Sequence, residues 1–270
     1  MKAVSFNVNS IRVRLHQLEA VINKYRPEVI GLQETKVTDE DFPLEAIESL
    51  GYHAAFTGQK THYGVALLTK APMTNVMTGF PGDTDDSQKR FVSAEIDVNG
   101  TAVKVANGYF PQGESRKHET KFPAKAAFYA DLLAFLQRDC DSSKPTLIMG
   151  DMNVAPIDLD IGIGDANMKR WLKDGKTSFL PEEREWLERL MQWGLFDTYR
   201  HMAPDADDLF SWFDYRSRGF EREPKRGLRI DLILATEVLR SKVVNAGIDY
   251  DIRGMDKPSD HCPIFAEFDL

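Results

Sequence analysis

Several polar residues sit where apolar runs end. Asn7 directly follows Val4-Ser5-Phe6, Glu34 comes two residues after the run Val29 to Leu32, and Asp151 and Asn153 follow Thr146 to Met149. Asp231 lies within Arg229-Ile230-Asp231-Leu232, and Asp260-His261 stands just ahead of the apolar run Ile264 to Phe268. Asn, Asp and Glu oxygens are hard donors that suit Mg²⁺, which takes few carboxylates and keeps water and phosphate oxygens in its shell. Zinc fits less well, because Cys140 and Cys262 have no partner at ligand spacing and the six histidines are scattered. A cation to neutralise phosphoryl oxygens, a carboxylate to orient or deprotonate water, and a His or Asn to stabilise charge are together the parts of metal-assisted phosphodiester hydrolysis.

Each residue alone also has an ordinary structural explanation. Asn7 can cap the helix that follows it, Glu34 can be a loop acid, and Asp151-Met152-Asn153 can close an Asx turn. Asp231 can pair with Arg229, and His261 can be a hydrogen-bonded core histidine. Five coincidences at five strand ends are harder to accept than one shared site. Side chains at strand ends converge on one rim when the strands belong to a common sheet edge.

The elements that would position these residues alternate along the chain. Short apolar strands are expected at Val4–Phe6, Val29–Leu32, Gly64–Thr69, Thr146–Met149, Ile230–Ala235 and Ile264–Phe268. Phe91–Val98 and Ala102–Asn107 read as a hairpin closed by Asn99-Gly100. Leu15, Leu18, Val21 and Ile22 repeat at helical spacing within Arg14–Tyr25, and Pro27 stops that helix. Further helices are expected at Leu44–Leu50, Phe122–Arg138 and Pro181–Trp193, the last with Pro at its start and Glu residues in its first turns. The interleaving of hairpins with strand-helix units predicts an α/β fold in which two packed mixed β-sheets are flanked by helices, with residues 1–270 as one domain.

Composition excludes several classes. With 42% hydrophobic and 28% charged residues the chain is neither disordered nor collagenous. No stretch approaches the roughly 18 apolar residues of a membrane span. The opening MKAVSFNVNS lacks an apolar leader, so a cytoplasmic location with reduced thiols is the expectation. The net charge of −8, taken alone, argues against a nucleic-acid partner. Basic residues nevertheless gather at Lys169-Arg170 and from Arg216 to Arg229, and a cation-using site carries carboxylates of its own.

The matching segments are SFNVNSIR around Asn7, GLQETK around Glu34, NGYFPQG around Tyr109, GDMNVAP around Asp151 and Asn153, LRIDLIL around Asp231, and KPSDHCP around Asp260 and His261. In this order they resemble the exonuclease III group of AP endonucleases, within the fold shared by DNase I and inositol polyphosphate phosphatases. LQETK, GYFPQG and WFDYRSRGF point to the DNA-repair branch, and KRWLKDGKTSFLPEEREW resembles the bacterial type.

The resemblance implies a metal set drawn from Asn7, Glu34, Asp151, Asn153, Asp260 and His261, binding Mg²⁺ or Mn²⁺. It implies that Asp151 activates water, that Asn153 holds phosphate or nucleophile, and that His261, oriented by Asp231 and supported by Tyr109, contacts the scissile phosphate. Whether the base is Asp151 or the Asp231–His261 pair stays open at this level. For DNA contacts the candidates are Arg90, Gln112, Lys121, Trp212 and Phe213. Between Tyr215 and Arg229 the chain carries Glu221, Glu223, Pro224 and Lys225 in a longer loop than the family pattern, so no contact is carried over there. The implied activity is cleavage 5′ to abasic sites in double-stranded DNA, 3′ to 5′ removal of nucleotides and 3′-end cleaning, by a monomer without membrane contact. The rivals are a lipid-phosphate phosphatase of the same fold and a DNA-binding module that has lost catalysis.

Overall fold

The computed structural model describes all residues from Met1 to Leu270. In chain order the elements are β1 (Lys2–Asn7), α1 (Ile11–Tyr25), β2 (Val29–Gln33), α2 (Leu44–Ser49), β3 (His53–Thr57), β4 (Val65–Thr69), β5 (Thr74–Thr78), β6 (Phe91–Val98) and β7 (Thr101–Tyr109). There follow α3 (Lys121–Asp139), β8 (Thr146–Asp151), α4 (Asp165–Asp174), α5 (Pro181–Gln192), β9 (Leu195–Asp197), α6 (Thr198–Met202), β10 (Asp231–Thr236), β11 (Val243–Ile248), α7 (Tyr250–Arg253) and β12 (Ile264–Phe268). The strands form two six-stranded sheets, ordered β11-β12-β1-β2-β4-β3 and β5-β6-β7-β8-β10-β9. Both are mixed in the same way. Each has one parallel pair, β1 with β2 and β7 with β8, joined across a helix, α1 or α3, and the other pairings are antiparallel.

Alternation along the strands builds the layers. In β1, Ala3 faces the second sheet while Val4 and Phe6 face α1, and in β8, Leu147 and Met149 face inward while Ile148 packs under α3 and α5. The result is helix, sheet, sheet, helix, with one core between the sheets and one beneath each helical layer. The hairpin turn is as expected: Asn99 and Gly100 take φ of 53° and 84°, the left-handed pair that matches strand twist.

Elements absent from the sequence expectation are β3, β5, β9, β11, α4, α6 and α7. Strand β5 is an edge strand with mostly exposed side chains, so it lacks the apolar alternation that signals a strand. Helix α4 buries none of its residues and follows an Asp- and Gly-rich segment that reads as loop.

A buried polar bridge joins the sheets just below the rim. Asn107 donates from Nδ2 to the carbonyls of Leu32 and Ala66 at 2.8 and 2.9 Å, and its Oδ1 accepts from Gln33 Nε2 at 2.6 Å. Gln33 Nε2 also reaches Ser5 Oγ at 3.0 Å. Gly31 makes room for this bridge, since a Cβ there would stand 2.8 Å from Asn107 Oδ1. Replacing Asn107 with Leu removes the partners of the Leu32 and Ala66 carbonyls and of Gln33 Nε2, all on the first sheet, at about 1–3 kcal/mol for each group left unsatisfied. Urea unfolding of Asn107→Leu is therefore expected to show a stability lower by about 3 kcal/mol, and an unchanged midpoint would contradict the bridge.

Candidate active site

Topology alone brings the polar strand ends together. The C-terminal ends of β1 and β2 carry Asn7 and, one residue beyond the strand, Glu34; those of β7 and β8 carry Tyr109 and Asp151. Strand β10 runs antiparallel to β8 and starts where β8 ends, so Asp231 lies in register with Asp151. Strand β12 runs antiparallel to β1, which delivers the Asp260-His261 segment preceding it to the same rim. Gly150 allows the close β7–β8 approach under Asp151: its φ is +149°, and a Cβ there would fall 1.9 Å from the Gly108 carbonyl oxygen.

Glu34 and Asn153 both occupy left-handed backbone, at φ of 52° and 53°. Such conformations in residues with a Cβ persist where surrounding structure holds them, and they cluster at functional sites. For Glu34 the hold is a set of backbone bonds: the amide of Ser10 donates to its carbonyl at 2.7 Å, and its neighbour Thr35 donates to the Gly64 carbonyl at 3.1 Å.

The side chains form one connected network. Asn7 Nδ2 donates to Glu34 Oε1 and to Asp151 Oδ2, each at 2.9 Å, while its Oδ1 accepts from the Asn9 amide at 3.0 Å. Asp151 Oδ1 accepts from the Asn153 amide at 3.1 Å, and Asn153 Nδ2 donates to the Phe110 carbonyl at 3.0 Å. His261 Nδ1 sits 2.9 Å from Asp231 Oδ2, which also accepts from Ser211 Oγ at 2.6 Å. His261 Nε2 lies 3.7 Å from Asp151 Oδ2. Lys36 Nζ meets the other oxygen of Glu34 at 2.8 Å.

Burial sets the electrostatics. The Asp151 carboxyl is raised, by burial first, with His261 opposing and Asp231 and Glu34 adding to the rise. For His261, burial works to lower the imidazole, but the carboxylates of Asp231 and Asp151 together outweigh it and hold it raised, hence protonated at neutral pH. The Tyr109 hydroxyl is pushed well above its usual range by burial and then by the Glu34 and Asp151 carboxylates. Donor atoms of Glu34, Asp151 and His261 all lie within 4.8 Å of one another, a group that could hold a metal ion. Two carboxylates so close, one of them buried, suit a cation of hard character.

The family profile described as endonuclease/exonuclease/phosphatase matches residues 4–261. The chain belongs to this family. Exodeoxyribonuclease III of Haemophilus influenzae is 60% identical over 268 residues, covering 99% of this chain and 100% of that one. Among solved structures, an AP endonuclease from Archaeoglobus fulgidus superposes with a TM-score of 0.90 at 33% identity, covering 100% of both chains. The 3′ phosphatase NExo from Neisseria, bound to a product DNA hairpin, gives a TM-score of 0.90 at 33% identity with 100% of both chains covered.

Within this member of the endonuclease/exonuclease/phosphatase family, the expected residues divide into three groups. Asn7, Glu34, Asp151, Asn153, Asp231 and His261 converge as described, and Tyr109, Gln112, Trp212 and Asp260 line the same cleft. Lys121 is exposed and does not line the cleft, its Nζ paired to Glu114 at 2.6 Å. Two expected DNA contacts are displaced. Phe213 is fully buried against Phe210, Phe220 and Tyr250, so it packs the core and offers no surface to DNA. Arg90 is mostly buried, its guanidinium 4.2 Å from the Tyr63 ring and 4.6 Å from the Tyr109 ring, with Nη1 donating to the Tyr109 carbonyl at 2.9 Å. Its position suits alignment of Tyr109 better than contact with a phosphate.

Asp260 lines the cleft but lies outside the donor group of Glu34, Asp151 and His261. Its Oδ1 accepts from Asn9 Nδ2 at 2.8 Å and its Oδ2 from Trp212 Nε1 at 3.1 Å. The structural explanations for single residues fare unevenly. The Asx turn of Asp151 forms, whereas Arg229 pairs with Asp160 and Asp197 and leaves Asp231 to His261. Residues that sequence patterns do not single out include Ser211, Lys36 and Asn9. Lys36 lies inside GLQETK, so its motif is visible, but no spacing ties Ser211 to Asp231.

Proposed function

We propose that this chain is an exodeoxyribonuclease III-type DNA-repair hydrolase. It cleaves the phosphodiester 5′ to abasic sites, removes nucleotides 3′ to 5′ from duplex DNA and cleans 3′ ends, working as a monomer. The observation that carries this reading is the convergence, at one rim, of an acid pair bridged by Asn7 with a histidine held by Asp231. The relatives add the substrate class, since their names are those of DNA nucleases and a DNA 3′ phosphatase. No helix is long and apolar enough to cross a membrane.

The two carboxylates of Glu34 and Asp151 fit Mg²⁺, with Mn²⁺ as a substitute. Bound there, it supplies charge neutralisation on the phosphoryl oxygens. Asn7 acts as an orienting group, because both N–H bonds of its amide are directed at the two carboxylates. His261, kept protonated, donates from Nε2 to a phosphoryl oxygen, and Asp231 and Ser211 fix its ring. Asp151 takes the proton of the attacking water; its carboxylate is aimed by Asn7 and the Asn153 amide. Tyr109 and Asn153 face the same cleft and position the phosphate.

The test is cleavage of an end-labelled duplex carrying one abasic-site analogue, with Mg²⁺ or with excess chelator, beside an intact duplex. A metal-dependent nick at the lesion and shortening from 3′ ends are expected; binding without cleavage would overturn the reading. Glu34→Ala is expected to shift the Mg²⁺ concentration for half-maximal activity upward by about tenfold or more. An unchanged metal titration would remove Glu34 from the ligand set.

A further inference from the structure

Behind the wall of the cleft lies a buried ion pair that the reaction itself does not use. Lys125 of α3 and Glu183 of α5 meet at 2.5 Å with both side chains fully buried, and neither lines the cleft. Apart from each other, their hydrogen bonds go only to backbone. Lys125 Nζ donates to the Asn153 carbonyl at 2.8 Å and to the Gln112 carbonyl at 3.3 Å, so all three of its N–H bonds have partners. Glu183 Oε2 accepts from the Ser178 and Leu180 amides, each at 2.8 Å.

The residues held in this way are those that line the cleft: Gln112, Asn153 and Ser178. Asn153 and Ser178 both occupy left-handed backbone, at φ of 53° and 99°. Such conformations persist where the surroundings over-determine them. Here the ammonium grips the carbonyl of one and the carboxylate grips the amide of the other, while the Ala155 amide ties the two segments at 2.6 Å from the Ser178 carbonyl. A buried ion pair is weak evidence for stability, because apolar residues of similar volume often serve as well. Apolar side chains at these positions would pack α3 against α5 but leave the carbonyls and amides of the wall without partners. Helix capping accounts for only part of the arrangement: Glu183 satisfies the Leu180 amide at the start of α5, and that bond needs no lysine.

We infer that Lys125 and Glu183 are positioning residues for the hydrolysis, acting through backbone alone to fix Asn153, and with it the amide that aims Asp151, together with Gln112 and Ser178. The inference rests on the nuclease reading above. Neither side chain reaches the cleft, so their effect belongs to the chemical step and not to the grip on DNA.

The test sets Lys125→Met, which keeps length and removes the charge, beside Leu18→Ala, which empties core space under the other sheet. At a temperature where both are folded, Lys125→Met is expected to lower kcat on an abasic-site duplex by about 10²-fold with KM within about threefold, the effect of a slight misplacement of reacting groups. Leu18→Ala should keep kcat within about twofold. The same fall is expected on bis(4-nitrophenyl) phosphate, because the displaced groups act at the phosphoryl centre and not on flanking DNA. In amide NMR spectra the Asn153 and Ser178 signals should shift in Lys125→Met and stay in place in Leu18→Ala. Where Lys125→Met fails to fold, Glu183→Gln carries the same test: it keeps an acceptor for the amides but not the charge opposite Lys125, so kcat should fall about tenfold and the Asn153 signal should shift. If the wild type cuts no duplex, the nuclease reading falls separately, and the amide signals still decide whether the pair holds the wall. Unmoved amide signals, kcat within about twofold of wild type, a change confined to KM for the duplex, or an equal loss of kcat in Leu18→Ala would each overturn the inference.

Discussion

Asp151→Asn is expected to lower single-turnover cleavage of an abasic-site duplex by about 10³-fold or more, while the DNA dissociation constant in the presence of Ca²⁺ moves by less than about threefold. The substitution preserves volume, and a positioned general base contributes about 10²–10⁴ in rate. It also removes a carboxylate from the metal group formed with Glu34. The remaining hydrogen bonds show why the amide cannot substitute. Asp151 accepts at both oxygens, from the Asn153 amide at 3.1 Å and from Asn7 Nδ2 at 2.9 Å. An asparagine has one acceptor and one donor, so either flip leaves an N–H facing another N–H. The deficit should be in the chemical step, because Asp151 is almost fully buried at the floor of the cleft and offers little surface to bound DNA. Turnover within tenfold of wild type would transfer the base role to the Asp231–His261 pair.

The site is legible in the sequence where strand ends and motif coincide. Asn7, Glu34, Asp151 and Asp231 each follow or open an apolar run, and because these strands are buried on both faces the polar residue stands out at the strand's end. Direction beyond the strand is what a linear pattern does not supply. Asp260 and His261 are adjacent in the chain but point to different partners, one to Asn9 and Trp212, the other to Asp231. Trp212 and Phe213 divide in the same way, the first lining the cleft and the second buried, because neighbours in an extended segment face opposite sides. Arg90 illustrates a further limit: an arginine beside a site reads as a phosphate contact until its neighbours are known, and here two tyrosine rings enclose it. Edge elements such as β5 and α4 escape notice because they bury little, so the hydrophobic period that identifies an element is weak there.

Arg229→Met is expected to lower the unfolding free energy by about 3–5 kcal/mol, the usual cost of removing one partner from a buried ionic network. Arg229 is among the largest fully buried side chains, and its guanidinium spans two acids, Asp160 through Nε at 2.7 Å and Asp197 through Nη2 at 2.6 Å. Both carboxylates are themselves buried, so a methionine of similar length leaves them facing apolar atoms. Asp160 keeps Arg200 at 2.6 Å and the Ile157 amide at 3.1 Å; Asp197 keeps only the Arg200 amide at 3.2 Å. The larger part of the destabilisation should therefore arise at Asp197, and Asp197→Asn placed on the Arg229→Met background is expected to recover about 1 kcal/mol or more by removing the unpaired charge. Arg229→Lys should fall between the two, since an ammonium reaches one acid but cannot fork across both. Because Arg229 stands two residues before Asp231 at the start of β10, the same variants report on the site: a network that merely stabilises the fold predicts normal kcat at a temperature where each variant is folded. A fall in kcat without a change in KM would instead mean that the Asp160–Arg229–Asp197 cluster sets the position of Asp231, and through it the ring of His261.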